Sequence, residues 1–446
     1  MKRGIELLSI VILILMVSGC SESKSARFRP GAHQYCDFNC ILISLDTLRK
    51  DRLGVNGCSL PISPFLDQWS LQSAVMSDVM AQSATTRTSH RAVFLSRYLF
   101  GQDKSASKPE KTLAGVLSAA GWTTAAFVDG GKMHHSFGND VGFQSYDDEG
   151  GGFEKILPKV DVWLDEHRAG KFFLFVHTYD IHSPQDPPDP FEKIFAEKPL
   201  LDRSIRKKNP PEFNSMNLDH AQADYISNLY NAEIRWTDRV LRRLFEKIGS
   251  LGLLEKTIII VMSDHGESFG ERGYFGHHQL YNAQTMVPMI WHIPKRGGRI
   301  VPEPVENIDI MPTILELFEV TPPQGLHGTT IARAIHDGER LRADRMHYSE
   351  EAHRAIMRPD GFKLILRNTP ELDELYDSRS DPWERENRRE ADIDQAAVLS
   401  KEIVSLTGLE LENLRKPITW GHILIKRSQD VDDALEHQLN ALGYVE

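Results

Sequence analysis

The run Lys256-Thr-Ile-Ile-Ile-Val261, followed at once by Met262-Ser263-Asp264-His265-Gly266-Glu267-Ser268, constrains this chain more than any other feature. A short β-branched run of this kind reads as a buried strand of a parallel sheet. An Asp and a His at the carboxyl end of such a strand stand where open α/β sheets bind ligands. Adjacent residues cannot form a helical i,i+4 ligand pair. On the turn leaving a strand, however, both side chains can converge on one cation. Gly276-His277-His278 follows close behind.

The same pattern recurs. Cys40-Ile-Leu-Ile-Ser-Leu45 ends at Asp46, and Lys171-Phe-Phe-Leu-Phe-Val-His177 runs toward Asp180 and His182. Residues 123–128 and 287–292 read as two further strands. Helical patterns lie between them at 64–73, 111–120, 160–167, 224–251 and 310–318. In the longest, Ile226, Leu229, Tyr230, Ile234, Val240, Leu241, Leu244 and Ile248 recur near the helical period. Strands alternating with helices predict an α/β fold, a mostly parallel central sheet covered by helices on both faces. From about residue 340 the character changes. Met346–Ser349, Arg354–Arg358 and Phe362–Leu366 read as short strands of an antiparallel meander, followed by a helix over 393–406. The expected division is a catalytic domain over 38–338 and a smaller C-terminal α+β subdomain over 339–446. Residues 185–222, rich in Pro and charge, read as a lid or insertion.

Residues 1–19 read as a signal segment. Lys2-Arg3 precede an apolar run, Leu7 to Val17, which at about 1.5 Å per residue reaches only half of a roughly 30 Å hydrocarbon core. Val17-Ser18-Gly19-Cys20 resembles a bacterial lipobox, which implies cleavage before Cys20, acylation of its thiol and a lipid anchor in the cell envelope. Ser21 fits the outer membrane or a periplasm-facing position, and residues 20–37 read as a tether. Net charge is −11; losing Lys2, Arg3 and Glu6 with the signal removes one net positive charge and leaves −12, which argues against a nucleic-acid partner. Cys36, Cys40 and Cys58 allow a disulfide in an exported protein, but the pairing is not deducible.

Asp46-Thr47, Asp180-x-His182, Asp264-His265 and His277-His278 thus gather at predicted strand ends. Carboxylates with imidazole suit zinc, manganese or magnesium better than calcium. Nucleophile candidates lie in Thr85-Thr86-Arg87-Thr88-Ser89-His90, just before a helical run. A hydroxyl at a helix N-terminus is well placed for anion chemistry; Thr86 or Thr88 could equally serve only as a cap.

Ile41-Leu-Ile-Ser-Leu-Asp46-Thr47-Leu-Arg49-x-Asp51-x-Leu-Gly54 resembles the opening motif of sulfatases within the alkaline phosphatase superfamily. The nucleophile segment Thr86 to Tyr98, Asp180-Ile-His182-x-Pro184, Asp264-His265-Gly266-Glu267 with Gly276-His277, and Asp309-Ile-x-Pro312-Thr313 follow in that family's order. Glu374-Leu-Tyr-Asp377 with Asp381-Pro382-x-Glu384, and the terminal Ala441-Leu-Gly-Tyr-Val445, complete the likeness. The resemblance implies a divalent metal on Asp46, Asp264 and His265, with Thr86 as nucleophile and fourth ligand. Thr47 stands where many sulfatases have a second metal-binding Asp. His182 and His277 are expected to contact the substrate's anionic group or to hold a second metal. Arg49, Arg87, Lys132 and His134 are expected in substrate binding.

One departure matters. Sulfatases of the usual type convert a Cys or Ser to formylglycine, and Thr86-Arg-Thr-Ser-His90 offers no convertible residue, so no formylglycine is expected. An aldehyde hydrate can expel sulfate by C–O cleavage; threonine has no such exit. A phospho-threonine is tractable, since phosphoryl groups transfer to water by in-line displacement. The expected activity is metal-dependent hydrolysis of anionic sulfate or phosphate esters carried by a small molecule, glycan or lipid. A phospho-substituent transferase of the envelope and a non-catalytic sulfatase-like lipoprotein are the alternatives.

Overall fold

The computed structural model describes residues 35–100, 111–206, 208, 210–342, 344–418, 435–436, 438–439 and 442. The signal segment, Cys20 and most of the terminal Ala441–Val445 motif lie outside them.

Three strands form the centre of an eight-stranded sheet: Thr257–Met262, Asn39–Leu45 and Phe172–Thr178. They run parallel, with Ser44 opposite Met262 and Leu45 opposite Thr178. Every residue in the three is buried, as their continuous apolar runs require. Because side chains alternate across a strand, Ile41, Ile43, Leu174, Val176, Ile259 and Val261 pack on one face. Leu42, Phe173, Phe175, Ile258 and Ile260 pack on the other. The helices Pro64–Ser70, Phe153–His167 and His220–Ser250 cover the first face. Leu113–Ala119 and Ile310–Leu317 cover the second. The α/β expectation holds.

The strand Thr123–Phe127 extends the parallel set beyond Phe172–Thr178, and Ser145–Asp147 adds the edge. On the opposite side Met289–His292 runs antiparallel to Thr257–Met262 and to Ala74–Met76. It is reached through the loop after Met262, the short ribbon Ser268–Phe269 with Phe275–Gly276 and the single helical turn Asn282–Thr285, with no helix long enough to carry the chain back across the sheet, so the chain returns reversed. Ala74–Met76, Ser145–Asp147 and Arg299–Val301 have three residues each, too few for a periodic signal.

Two helices begin earlier than their periodicity indicates. Phe153–His167 runs through Pro158, which breaks the pattern. His220–Ser250 starts with a capping box between Asp219 and Gln222. The 185–222 insertion carries short helical turns at Glu192–Phe195, Arg203–Arg206 and Pro210–Ser215. Asn214 ties it to the ribbon ahead of His277, donating to the Phe275 carbonyl at 3.1 Å and accepting from the Phe275 N–H at 2.7 Å.

The C-terminal meander is a four-stranded antiparallel sheet: His347–Glu350, Arg354–Met357, Phe362–Leu366 and Glu374–Asp377. Leu399 and Ile403 of the helix Ile393–Thr407 pack against its face. Cys40 and Cys58 are free thiols. No helix among the described residues is long and apolar enough to cross a membrane.

Candidate active site

The parallel register brings Asp46 and the Asp264-His265 turn side by side. One ligand atom from each of Asp46, Asp264 and His265 lies within 4.8 Å of the others, and all three residues are fully buried. The turn depends on Gly266: a Cβ there would stand 2.1 Å from the Ala283 carbonyl oxygen. Its N–H donates to the Gln284 carbonyl at 2.8 Å.

Each member of the trio is held by one edge and presents the other. His177 Nε2 donates to Asp46 Oδ2 at 3.0 Å. The Thr47 N–H donates to Asp264 Oδ1 at 3.3 Å. His265 Nδ1 donates to the Gly266 carbonyl at 2.9 Å, which turns Nε2 toward the cluster. Asp46 Oδ1 and Asp264 Oδ2 have no hydrogen-bond partner among the described residues. His265 Nε2 lies 3.4 Å from that oxygen of Asp264 and 4.0 Å from that of Asp46. Burial, and then the Asp264 charge, push Asp46 well above the ordinary carboxylate range. Two orphaned carboxylate oxygens and one imidazole nitrogen, taken out of water together, fit the donor set of a divalent cation.

Thr86 opens the helix Thr86–Leu95. Thr85 is the N-cap and makes no side-chain cap bond, so the Thr86 hydroxyl does not serve as a cap. Its Oγ1 lies 3.4 Å from His265 Nε2, inside the cluster. Thr47, with φ 59°, turns its hydroxyl back onto the Asp46 carbonyl at 2.7 Å.

Beside the trio, His182, Glu267 and His277 form a second buried group, again with ligand atoms within 4.8 Å. The His277 ring lies 4.6 Å from that of His265 and 5.2 Å from that of His182, centre to centre. His182 Nδ1 donates to the Ser183 carbonyl at 2.6 Å. Burial lowers the His182 pKa to about 4 and holds that of His277 well below the ordinary value.

The four residues expected in substrate binding do not all converge. Arg49 is buried, and its guanidinium is engaged by Asp51 at 2.9 Å, Glu271 at 2.6 Å and the Glu267 carbonyl at 2.9 Å. Arg87 and Lys132 lie over the same Phe137 ring, at 5.2 and 5.8 Å. Arg87 also donates to the Phe137 carbonyl at 3.2 Å. Burial and the neighbouring Arg87 lower the Lys132 pKa to about 8. His134 groups instead with His135 and Asp148, its Nε2 3.6 Å from the Asp148 carboxylate.

Four supporting residues escape the sequence reading. His177 is the last His of an apolar strand run, and His90 lies one turn after Thr86. The His90 Nδ1 donates to the Thr86 carbonyl at 2.8 Å and stands 3.6 Å from Asp264. Glu267 follows Asp264 in the same motif. Glu351 lies in the bend between the first two strands of the C-terminal sheet and has no local signal: it accepts from Ser83 at 2.6 Å and Thr85 at 3.1 Å, bracing the turn before Thr86.

The sulfatase family model matches residues 39–320. A model of the C-terminal region of N-sulphoglucosamine sulphohydrolase matches residues 270–408. An arylsulfatase from Clostridium perfringens is 22% identical, over 87% of this chain and 97% of its own length. A protein solved with its substrate D-glucosamine-2-N,6-O-disulfate superposes with a TM-score of 0.70 at 18% identity, covering 83% of this chain and 98% of its own. The phosphonate monoester hydrolase of Agrobacterium radiobacter gives 0.67 at 17%, covering 83% and 95%. Matches to three further curated sulfatases each span 31% of the relative's length, so the relatives' names alone do not decide the substrate. By the extent of the family match, the chain belongs to the sulfatase family of metal-dependent ester hydrolases, within the alkaline phosphatase superfamily.

Proposed function

We propose that this protein hydrolyses anionic esters with Thr86 Oγ1 as the nucleophile, and that its substrates are phosphate or phosphonate esters ahead of sulfates. The observation that carries the reading is the Thr86 hydroxyl 3.4 Å from His265 Nε2, beside two buried carboxylates with unmatched oxygens. Asp46, Thr86, Asp264 and His265 would hold a divalent cation, and their mixed carboxylate and imidazole donors suit zinc, manganese or magnesium. Such a cation, when bound, supplies positive charge that favours the alkoxide and the developing oxyanion.

Thr86 contributes geometry as well as oxygen. At the first position of its helix, it sits where unsatisfied N–H groups and the dipole favour an anionic group. Attack by Oγ1 forms a bond to the ester's central atom and breaks the bond to the leaving oxygen, which departs with a proton. Water then attacks the same central atom and releases Thr86. A threonine ester has no second hydroxyl on its carbon, so the C–O route that formylglycine opens is closed. Attack at the central atom is the only exit, a route that phosphoryl groups take by in-line displacement. Arg87 and Lys132 are the cationic side chains we assign to binding the rest of the anionic substrate, a small molecule or an ester on a glycan or lipid. A lipid anchor at Cys20 would hold the enzyme in the cell envelope, and labelling with radioactive fatty acid, lost in Cys20→Ala, tests it.

Assaying the metal-loaded protein against aryl phosphate, phosphonate, phosphodiester and sulfate esters tests the activity. Phosphorus esters should turn over faster than aryl sulfates. A preference for aryl sulfate, or full activity in Thr86→Ala, would refute the assignment.

A further inference from the structure

We infer that the cleft beginning at Arg87 is a subsite for a second anionic group, so that the enzyme prefers esters carrying a further negative charge about one helical turn from the ester it cleaves. The inference deepens the Thr86 reading and rests on it for where the reacting ester sits. The helix Thr86–Leu95 sets the geometry. Arg87, Arg91 and Leu95 recur every four residues and so share one face of it. With Phe94 they form one wall of a cleft of about 150 Å³. Phe137, Asn139 and Val141, from the loop after the fourth parallel strand, form the other. One water needs about 10–15 Å³ by the same measure, so the space admits a carboxylate, sulfate or phosphate group. Arg87 adjoins Thr86, and the cleft runs on from it to Arg91, four residues or about 6 Å along the axis.

The lining carries one sign of charge. Among the described residues that line the cleft there are two arginines and no Asp or Glu. Arg87 is the group that reads the anion. Its guanidinium lies over the Phe137 ring at 5.2 Å and donates to the Phe137 carbonyl at 3.2 Å, contacts that fix its plane and leave its charge unneutralised. Among the described residues it pairs with no carboxylate, and its other N–H groups form a fork suited to two anionic oxygens. Burial and the Arg91 charge bring its pKa down to about 10, and an anion in the cleft offsets both effects. The opposite wall is braced in advance. Asn139 Nδ2 donates to the Lys132 carbonyl at 2.8 Å and the His134 carbonyl at 3.3 Å, and the Tyr146 hydroxyl donates to the Met133 carbonyl at 2.6 Å.

A ratio of two rates tests the subsite. The metal-loaded, full-length protein is given 4-carboxyphenyl phosphate and its neutral counterpart 4-carbamoylphenyl phosphate, which match in size and differ by one charge. kcat/KM should be about 10-fold higher for the carboxylate, as one charge-assisted pair provides. In Arg87→Met the two values should become equal. The same is expected of Val141→Phe, which fills the cleft and keeps both arginines, and it decides the matter should Arg87→Met not fold. Damage to fold or metal binding lowers both rates and cancels in the ratio. Equal values in the wild type, or the wild-type ratio kept in either variant, overturn the subsite. The two readings fail separately. An enzyme phosphorylated on Thr86 that treats both esters alike ends this inference alone. Turnover that survives in Thr86→Ala with the preference intact ends the nucleophile assignment and leaves the subsite standing. If neither ester turns over, calorimetric titration of the same protein with both reads the preference as a ratio of dissociation constants, and equal constants overturn it.

Discussion

His177 Nε2 donates to Asp46 Oδ2 at 3.0 Å inside a fully buried pair, and this contact aims the remaining oxygen of Asp46 at the cluster. Burial holds His177 well below the ordinary imidazole pKa, so it stays neutral and keeps its hydrogen on the bond to Asp46. Outer partners of this kind fix a ligand's orientation and raise its basicity. His177→Ala should therefore weaken metal binding by about 10- to 100-fold. Titration with a competing chelator measures it, and unchanged affinity would show that His177 has only a packing role.

The brace from Glu351 reaches across the chain to the turn ahead of Thr86. Cutting it should let Thr86 drift, and small misplacements near reacting atoms cost up to about 100-fold in rate. Glu351→Ala should lower kcat by about 10- to 100-fold while metal content stays at the wild-type level. An equal loss of metal would mean that the brace supports the ligands rather than the nucleophile.

Lys132 gives the account a pH signature. Its pKa lies near 8 because burial and Arg87 disfavour the charged form. Cationic Lys132 is therefore fully present below that value and lost as pH rises through it. KM for an anionic ester should climb above pH 8, and Lys132→Arg should flatten the rise, since arginine stays charged. A KM profile that is identical in wild type and Lys132→Arg removes Lys132 from substrate binding.

Lys363 and Glu384 form a buried ion pair at 2.9 Å within the C-terminal subdomain. Both also reach Asn282 of the main domain, through Lys363 Nζ at 3.0 Å and the Asn282 N–H to Glu384 at 2.5 Å. Removing one partner strands a buried charge, so Lys363→Met should cost about 3–5 kcal/mol in urea unfolding. A loss below 1 kcal/mol would show that Glu384 takes up a proton at little cost.

The central strands were legible because burial on both faces makes them continuous apolar runs, and their carboxyl ends marked Asp46, Asp264 and His265 directly. Thr86 was visible as a hydroxyl ahead of a helical pattern, but its distance to His265 was not. The reversed strand Met289–His292 was hidden because direction depends on the connecting loop, not on the strand's own residues. Glu351 was hidden for a related reason: only the docking of the C-terminal sheet carries it to Ser83 and Thr85. Arg49 drew attention as a cation in the opening motif, yet Asp51 and Glu271 account for its charge. Pairing across long loops decided these cases, and local pattern does not encode it.

The covalent step itself offers the most direct test. Rapid acid quench of the metal-loaded enzyme during turnover of a phosphate ester, followed by peptide mass spectrometry, should find a phosphoryl group on Thr86 and nowhere else. A phosphoryl group on another residue, or steady turnover by Thr86→Ala, would contradict the account.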